Sequence, residues 1–527
     1  MSKFNTVDKR GTRTPSAAPI KTNPVATGKT YNGAPGYEYD TLSQLFLLAC
    51  SNMVGEDTFY EGGKLRDARY TQLIYKAVEE GHSEWLGRFF PWLRNSANMR
   101  SAAIVGAVEA TRAMVDRKIS GGRALINSVL VRADEPGEAL AYYLSNYGRH
   151  VPKPIKRGIA DAVSRLYSER NALKYDTASK GLRFSDVIEL VHPSPSFLSQ
   201  GQLFKFLLAR GKDRKPLEIP DVLTMFTAEA GLRRNAANDP RVLLNTARLR
   251  QAGMTWEDVL SLAGNKIPKR ELWDALIPTM GYMALLRNLR NFDEAGISGS
   301  AIDWVKAELT SPAEVAKSRQ LPLRFLSAYR AVPSNQWAQP LETALDLCLN
   351  SLPMFVNRTL ILIDTSSSMD TVMSAKSKLT YADTAIMFGL ALARRCHDVD
   401  VVSFSSSTKV FPAKKGESLL KGIDRFNRGG FAMHGGTDTR GAVAGHYGGH
   451  DRVVVLTDEQ ADQYWTPGAV YSPIPEDRTV ITFNLAGYRH GHAPVNGHNR
   501  ITIGGLSDAA FALLPALEGR SEQKWPF

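Results

Sequence analysis

Two hydrophobic patterns divide the chain. From Leu42 to about Leu349, apolar residues recur every three to four positions in segments broken at Gly or Pro, as in "YTQLIYKAVEEG", "NMRSAAIVGAVEATRAMV", "EALAYYLSNYG" and "PRVLLNTARLRQAG". That period puts one apolar stripe on each helix. Serial helices bury such stripes only by stacking on their neighbours, so the pattern predicts a helical-repeat array, although no clean sequence period recurs. After Leu352 the chain changes to short Val/Ile/Leu runs: "RTLILID" (358 to 364), "DVDVVSF" (398 to 404), "DRVVVLTD" (451 to 458), "RTVITFNLA" (478 to 486) and "RITIGG" (500 to 505). Helical stretches such as "KLTYADTAIMFGLALARRC" and "SDAAFALLPALEG" accompany them. Buried strands alternating with helices predict a doubly wound parallel sheet.

Residues 1 to 38 show no period and are rich in Thr, Pro, Gly, Ala and Lys, which reads as a flexible basic arm. The expected organisation is therefore an arm over 1–38, an α-helical module over 39–352 and an α/β domain over 353–527. Charge sharpens this division. Of the 65 Lys and Arg and 53 Asp and Glu, only 18 and 17 lie from Ser351 to Phe527, so the excess of +12 resides almost wholly before the α/β domain. A basic excess in the first two thirds of the chain is what a polyanionic partner would require, and is ordinarily only a solubility feature.

Cys50, Cys348 and Cys396 are widely spaced and lack CxxC pairing, which excludes a disulfide framework and a thiolate zinc site. No apolar run reaches the roughly 18 to 20 residues that cross a bilayer, and the start carries no apolar leader. The expectation is a cytoplasmic protein without membrane contact.

The candidate chemistry begins at "LILIDTSSSMD" (360 to 370), where an apolar strand ends in one carboxylate followed by hydroxyls. In open α/β sheets ligands bind beyond the carboxyl ends of strands. Asp364 ends one such strand and Asp458 another, while "HGGTDT" (434 to 439) is a Gly-rich loop between them. Asp364, Ser366, Ser368, Thr437 and Asp458 offer only hard oxygen ligands, which suit a divalent cation, Mg²⁺ above all. Gly435 and Gly436 would let the backbone carrying Thr437 come close. Serine and threonine after a strand also serve as caps and turn formers, and only the order of all three segments at strand ends favours the site. No G-x-S-x-G and no Walker motif occurs, and the place two residues after Asp364 is Ser366 rather than a second acid, so no enzyme is expected. His490, His492 and His498 lack a completing Cys or carboxylate at zinc-site spacing and read as loop histidines.

The D-x-S-x-S, "GGTD" and "LTD" segments together resemble the von Willebrand factor A domain with its metal-ion-dependent adhesion site, over about residues 355 to 520. The preceding "SNYGRHVPKPIKRGIADAVSRLYSERNALKYD", "RFSDVIELVHPSP" and "LWDALIPTMGYMALLRNLRNFDEAGI" resemble the TROVE module of the Ro autoantigen family. The resemblance implies a ring-like, HEAT-like α-helical repeat module followed by the A domain. It also implies a scaffold that binds small noncoding Y RNAs and the single-stranded ends of misfolded RNAs, in some members tethered through RNA to an exoribonuclease. A rival expectation is a protein-adhesion scaffold whose metal site captures an acidic group of a partner.

Residue chemistry agrees with RNA as partner. "GRHVPKPIKRG" gathers Arg149, His150, Lys153, Lys156 and Arg157 around a turn stiffened by Pro152 and Pro154. Lys174 and Tyr175 set a cation beside a ring on which a base can stack. Arg287 and Asn288, in "LLRNLRN", add a charge and an amide at what reads as another helix end. The ordinary alternative for each is a solvated helix face or a packing role.

Overall fold

A computed structural model describes residues 19–51, 57–177, 181–213, 218–349, 352, 354–373, 378–462, 469–495, 499–504 and 525–527. The stretch "SDAAFALLPALEG" and His498 lie outside the described residues. The chain forms two compact units, one comprising 1–51, 57–62 and 351–527, the other 52–56 and 63–350. The architecture is α plus α/β.

The helical unit runs from Gly63–Glu79 to Ala338–Cys348. Its helices follow the expected period: in Lys153–Leu166 the buried residues are Ile155, Gly158, Ile159, Ala162 and Val163, one stripe at helical spacing. Side-chain caps satisfy free backbone donors at several helix starts, as where the Ser168 hydroxyl accepts from the Asn171 amide and the Thr255 hydroxyl from that of Asp258. Buried charge is fully engaged at Glu135, whose oxygens accept from the amides of Val131 and Arg132 and from the guanidinium groups of Arg94 and Arg100.

The other unit is built on a six-stranded sheet. With β1 (Gly28–Lys29) and β2 (Pro35–Glu38) near the start of the chain, the sheet strands are β3 (Thr359–Asp364), β4 (Val399–Phe404), β5 (Thr408–Phe411), β6 (Arg452–Thr457), β7 (Thr479–Asn484) and β9 (Arg500–Gly504). Their order is β5-β4-β3-β6-β7-β9. All five expected strands are present and pair in parallel. The antiparallel edge strand β5 escaped the sequence because three of its four residues are exposed, so it lacks a buried run. Every residue of β3 is buried. The helix Tyr381–Arg394 lies so close to β3 that a Cβ on Gly389 would stand 2.6 Å from Ile363 Cδ1.

The arm and the first helix depart from expectation. Residues 19–38 are held against the α/β unit: β2 pairs with β8 (His490–Gly491), Lys21 donates its amide to the Ser43 hydroxyl, and Ile20 and Tyr39 are buried. Short strands with few apolar residues give no periodic signal, which explains why the sequence reads as an arm. The helix Thr41–Ser51, expected to open the helical module, belongs to this unit instead and contacts β9. Its sequence, TLSQLFLLACS, has no charged face and nearly all its residues are buried, as an enclosed helix requires.

Candidate functional site

Asp364 closes β3, and the parallel register sets Ile363 against Leu456 of β6, so the segments after both strands leave the sheet side by side. The Asp364 carboxylate is locked from two directions, accepting the Ser366 amide at 2.9 Å on Oδ1 and the Thr457 hydroxyl at 2.6 Å on Oδ2. The turn that follows, Ser367–Asp370, brings the Ser366 and Ser368 hydroxyls to 3.3 Å. The Gly-rich loop is fastened to this turn: His434 donates its amide to Thr365 O, Gly435 its amide to the Ser367 hydroxyl, and Ser367 its amide to Gly435 O, each at 2.9 Å. Gly435 adopts φ +94°, a conformation suited to glycine, and a Cβ there would meet Ser406 Oγ at 3.0 Å. On the other side Asp462 donates its amide to Thr437 O at 2.7 Å. All three segments thus meet at one end of the sheet.

Asp364, Ser366, Ser368, Thr437 and Asp458 are all buried there. Burial raises the Asp364 carboxyl above its ordinary value, and burial with the neighbouring Asp364 charge pushes Asp458 up to about 7. Thr437 Oγ1 and Asp458 Oδ2 have no hydrogen-bond partner despite being buried. Orphaned oxygens beside two mutually repelling carboxylates are what a hard cation would satisfy, so the residues present fit one. Among the described residues no group of three or more His, Cys, Asp or Glu is placed to hold a metal. The fit rests on hydroxyls together with two carboxylates.

Sequence reasoning missed four residues around this cluster. Thr457 anchors Asp364, and Gln460 accepts the Tyr31 amide at 2.9 Å. Glu459, at φ +62°, is buried with its carboxyl raised to about 7 by burial, and Tyr39 donates its hydroxyl to it at 2.5 Å. Tyr60 comes from far upstream, donates its hydroxyl to Asn32 Oδ1 at 2.6 Å, and has that hydroxyl pushed up by burial and by the charge of Asp458. "LTDEQ" held a signal for the first three in its run of polar residues after a buried strand, whereas nothing in "TFYEGG" announces Tyr60.

Of the histidines, His492 is buried with Nε2 at 2.9 Å from the Tyr471 hydroxyl, so it is a core residue and not a loop residue.

The expected RNA contacts lie in the helical unit at three places. Arg149, His150, Lys153 and Arg157 are exposed, and Lys156 is half-buried, at the start of the helix Lys153–Leu166. Pro152 caps that helix, no acid occupies its first turn, and the Tyr143 hydroxyl donates to His150 O at 2.9 Å, fixing the turn. Cations at the positive end of a helix dipole are unfavourable for the helix itself and favourable for an anion. Lys174 is exposed at the end of Glu169–Tyr175, while the half-buried Tyr175 ring has Lys174 Nζ 5.1 Å and the Arg132 guanidinium 5.6 Å from its centroid.

The third place departs from expectation, because Arg287 and Asn288 sit inside the helix Tyr282–Ala295 and not at its end. Arg287 is exposed, but Asn288 is buried, donating to Ala284 O at 2.8 Å and accepting from Asn291 Nδ2 at 2.7 Å. It is a packing residue turned away from solvent. That helix packs against different neighbours from those of Lys153–Leu166.

Known proteins share parts of this arrangement. The TROVE domain family model matches residues 246–400. Telomerase protein component 1 of Mus musculus is 41% identical over 80 residues, and its Rattus norvegicus counterpart 42% identical over 77. These matches cover 15% and 14% of the chain, and the chain spans only 3% of either relative's length. The crystal structure of the Deinococcus radiodurans RO (RSR) protein superimposes with a TM-score of 0.59 and 17% identity, covering 90% of this chain and 99% of that one. At this identity the likeness is one of fold.

Proposed function

We propose that the chain is a member of the Ro-like TROVE family and acts as an RNA-binding ribonucleoprotein scaffold. The observation that carries the reading is the cationic helix start of Arg149, His150, Lys153, Lys156 and Arg157, which has no acid in its first turn. Lys153 and Arg157 meet phosphates there while the proline-stiffened turn fixes their register. In finer detail, the ligands are Y RNA-like noncoding RNAs and the single-stranded ends of misfolded RNAs, and an exoribonuclease is tethered through the RNA. The scaffold serves RNA quality control in the cytoplasm and has no catalysis of its own. Crosslinking and sequencing of RNA copurified with the protein tests this reading: structured small RNAs and free 3′ ends are expected, and recovery of no RNA above background would overturn it.

The C-terminal unit, in this reading, is a von Willebrand factor A-like domain. Asp364, Ser366, Ser368, Thr437 and Asp458 hold a divalent cation, most simply Mg²⁺, directly or through water. The bound cation supplies a Lewis-acidic position open to a carboxylate. The protein's own part is to hold two buried, mutually repelling carboxylates together, a repulsion that a cation relieves, and to fix the hydroxyls through the Thr365–Ser367 and His434–Thr437 segments.

A second reading is favoured by the orphaned Thr437 Oγ1 and Asp458 Oδ2: a cation-dependent adhesion scaffold that captures an acidic group of a protein partner. Pull-downs with and without EDTA after nuclease treatment separate the two. Complexes that survive nuclease but not EDTA belong to this second reading.

A further inference from the structure

At the end of the sheet away from the carboxylate cluster lies a cleft that neither reading uses. The register pairs Val399 with Thr359 and Phe404 with Asp364, so Val399 stands at the far end of β4 from the cluster. There the end of the helix Tyr381–Arg394, the start of β4, the end of β5 and the start of the helix Leu419–Arg428 surround a cleft of about 650 Å³. These elements all belong to one compact unit. The volume is that of a small-molecule site.

Its floor is apolar. Leu390, Ala393, Phe411 and Leu419 line it and are all buried, and Met354, an adaptable thioether 61% exposed, lines it as well. Charge supplies the rest of the lining, with Arg394, Lys414 and Lys415 against Asp398 and Glu417. Both acids already have cations from outside the lining: Glu417 accepts the Arg425 guanidinium at 3.0 and 2.7 Å, and Asp398 lies 3.9 Å from Arg358 Nε. Lys414 and Lys415 are exposed, and neither ammonium forms a hydrogen bond or ion pair among the described residues. The cleft therefore carries positive charge that nothing in its own lining neutralises.

We propose that this cleft binds a small organic anion, with a ring-sized apolar body on the floor and its acid group on Lys414 and Lys415. Burying the body removes apolar surface from water. The two ammonium groups give the acid charge-assisted hydrogen bonds, which a neutral molecule of the same shape forfeits. No residue of the cation cluster or of the RNA contacts lines the cleft, so the inference stands apart from both readings.

Fluorescence titration of the full chain with 8-anilinonaphthalene-1-sulfonate, an aromatic body with one sulfonate, tests it. Wild type should bind this probe saturably. Lys414→Glu combined with Lys415→Glu should weaken binding about 10-fold, and wild type should bind N-phenyl-1-naphthylamine, the same body without the sulfonate, about 10-fold more weakly. Lys421→Glu reverses a cation outside the lining and should bind the sulfonate like wild type. Gly422 locates the site. A Cβ there would meet Glu417 Oε2 at 3.5 Å and Leu390 Cδ1 at 3.7 Å, ordinary contacts, so Gly422→Leu fills the cleft from within a helix that favours leucine over glycine. That variant should lose saturable binding and melt no lower than wild type. If it does not fold, the lysine variant and the neutral probe decide. Wild-type affinity in the lysine variant or in a folded Gly422→Leu, equal affinity for the two probes, weakened binding by Lys421→Glu, or no saturable binding by wild type would each overturn the proposal.

Discussion

At the scale of single residues, the α/β unit stores charge where it is unwelcome. Asp458 is buried beside Asp364 with one oxygen unpartnered. Asp458→Asn removes that repulsion, so the cation-free variant should melt no lower than wild type, and on the proposed cation reading Mg²⁺ should raise the melting midpoint of wild type and leave that of the variant unchanged. Thermal melts with Mg²⁺ and with EDTA measure both. His492 acts in the opposite sense with pH. Burial lowers its imidazole from 6.5 to about 3, so the folded state binds fewer protons than the unfolded one between these values. Stability contributed by neutral His492 is complete above 6.5 and falls as the pH drops toward 3, by about 1 kcal/mol per pH unit. Urea unfolding from pH 7 to pH 4 should therefore show a shallower decline for His492→Leu than for wild type.

At this scale much of the site was legible. Asp364, Ser366, Ser368, Thr437 and Asp458 were readable because each follows a buried strand or a Gly-rich loop. Tyr60 and Asn32 were not, since their proximity arises from chain folding over more than 400 residues of separation, as the Asn32–Gln460 bond shows. Asn288 was misread because a helix with exposed Arg287 and Arg290 also needs an inward side, and Asn288 falls on it.

At the scale of elements, periodicity succeeded wherever burial is one-sided or complete. The five parallel strands and the helix Tyr381–Arg394 belong here, the latter started by a reciprocal cap in which Asp383 and Thr380 each accept the other's amide at 3.1 Å. Its close approach to β3 at Gly389 should not tolerate a larger residue. Gly389→Val should cost about 1 to 3 kcal/mol of stability by overpacking against Ile363, measured by denaturant unfolding. Periodicity failed for β1, β2 and β8, strands of two to four residues that are too short to show a period, and the pairing of β2 with β8 joins residues far apart in sequence. It also misassigned Thr41–Ser51, because an apolar helix does not declare which core it enters.

At the scale of the whole molecule, the N-terminal segment is a structural part of the α/β unit. Ile20, Thr22 and Tyr39 are buried in it, and Thr22 Oγ1 accepts the Val495 amide at 3.1 Å. Deleting residues 1–38 should lower the melting midpoint of that unit, since buried Ile20 and the Thr22–Val495 bond are lost with it. The basic excess, by contrast, belongs to the part of the chain before Ser351, where the proposed RNA contacts lie. The most direct test of the account is the RNA affinity of the full chain as a function of salt, for wild type and for the combined variant Lys153→Glu, Lys156→Glu and Arg157→Glu. Wild type should bind a small structured RNA with an affinity that falls steeply with salt, and the variant should bind weakly with a salt slope smaller by about 2 to 3. Equal affinity and equal slope in the two proteins would contradict it.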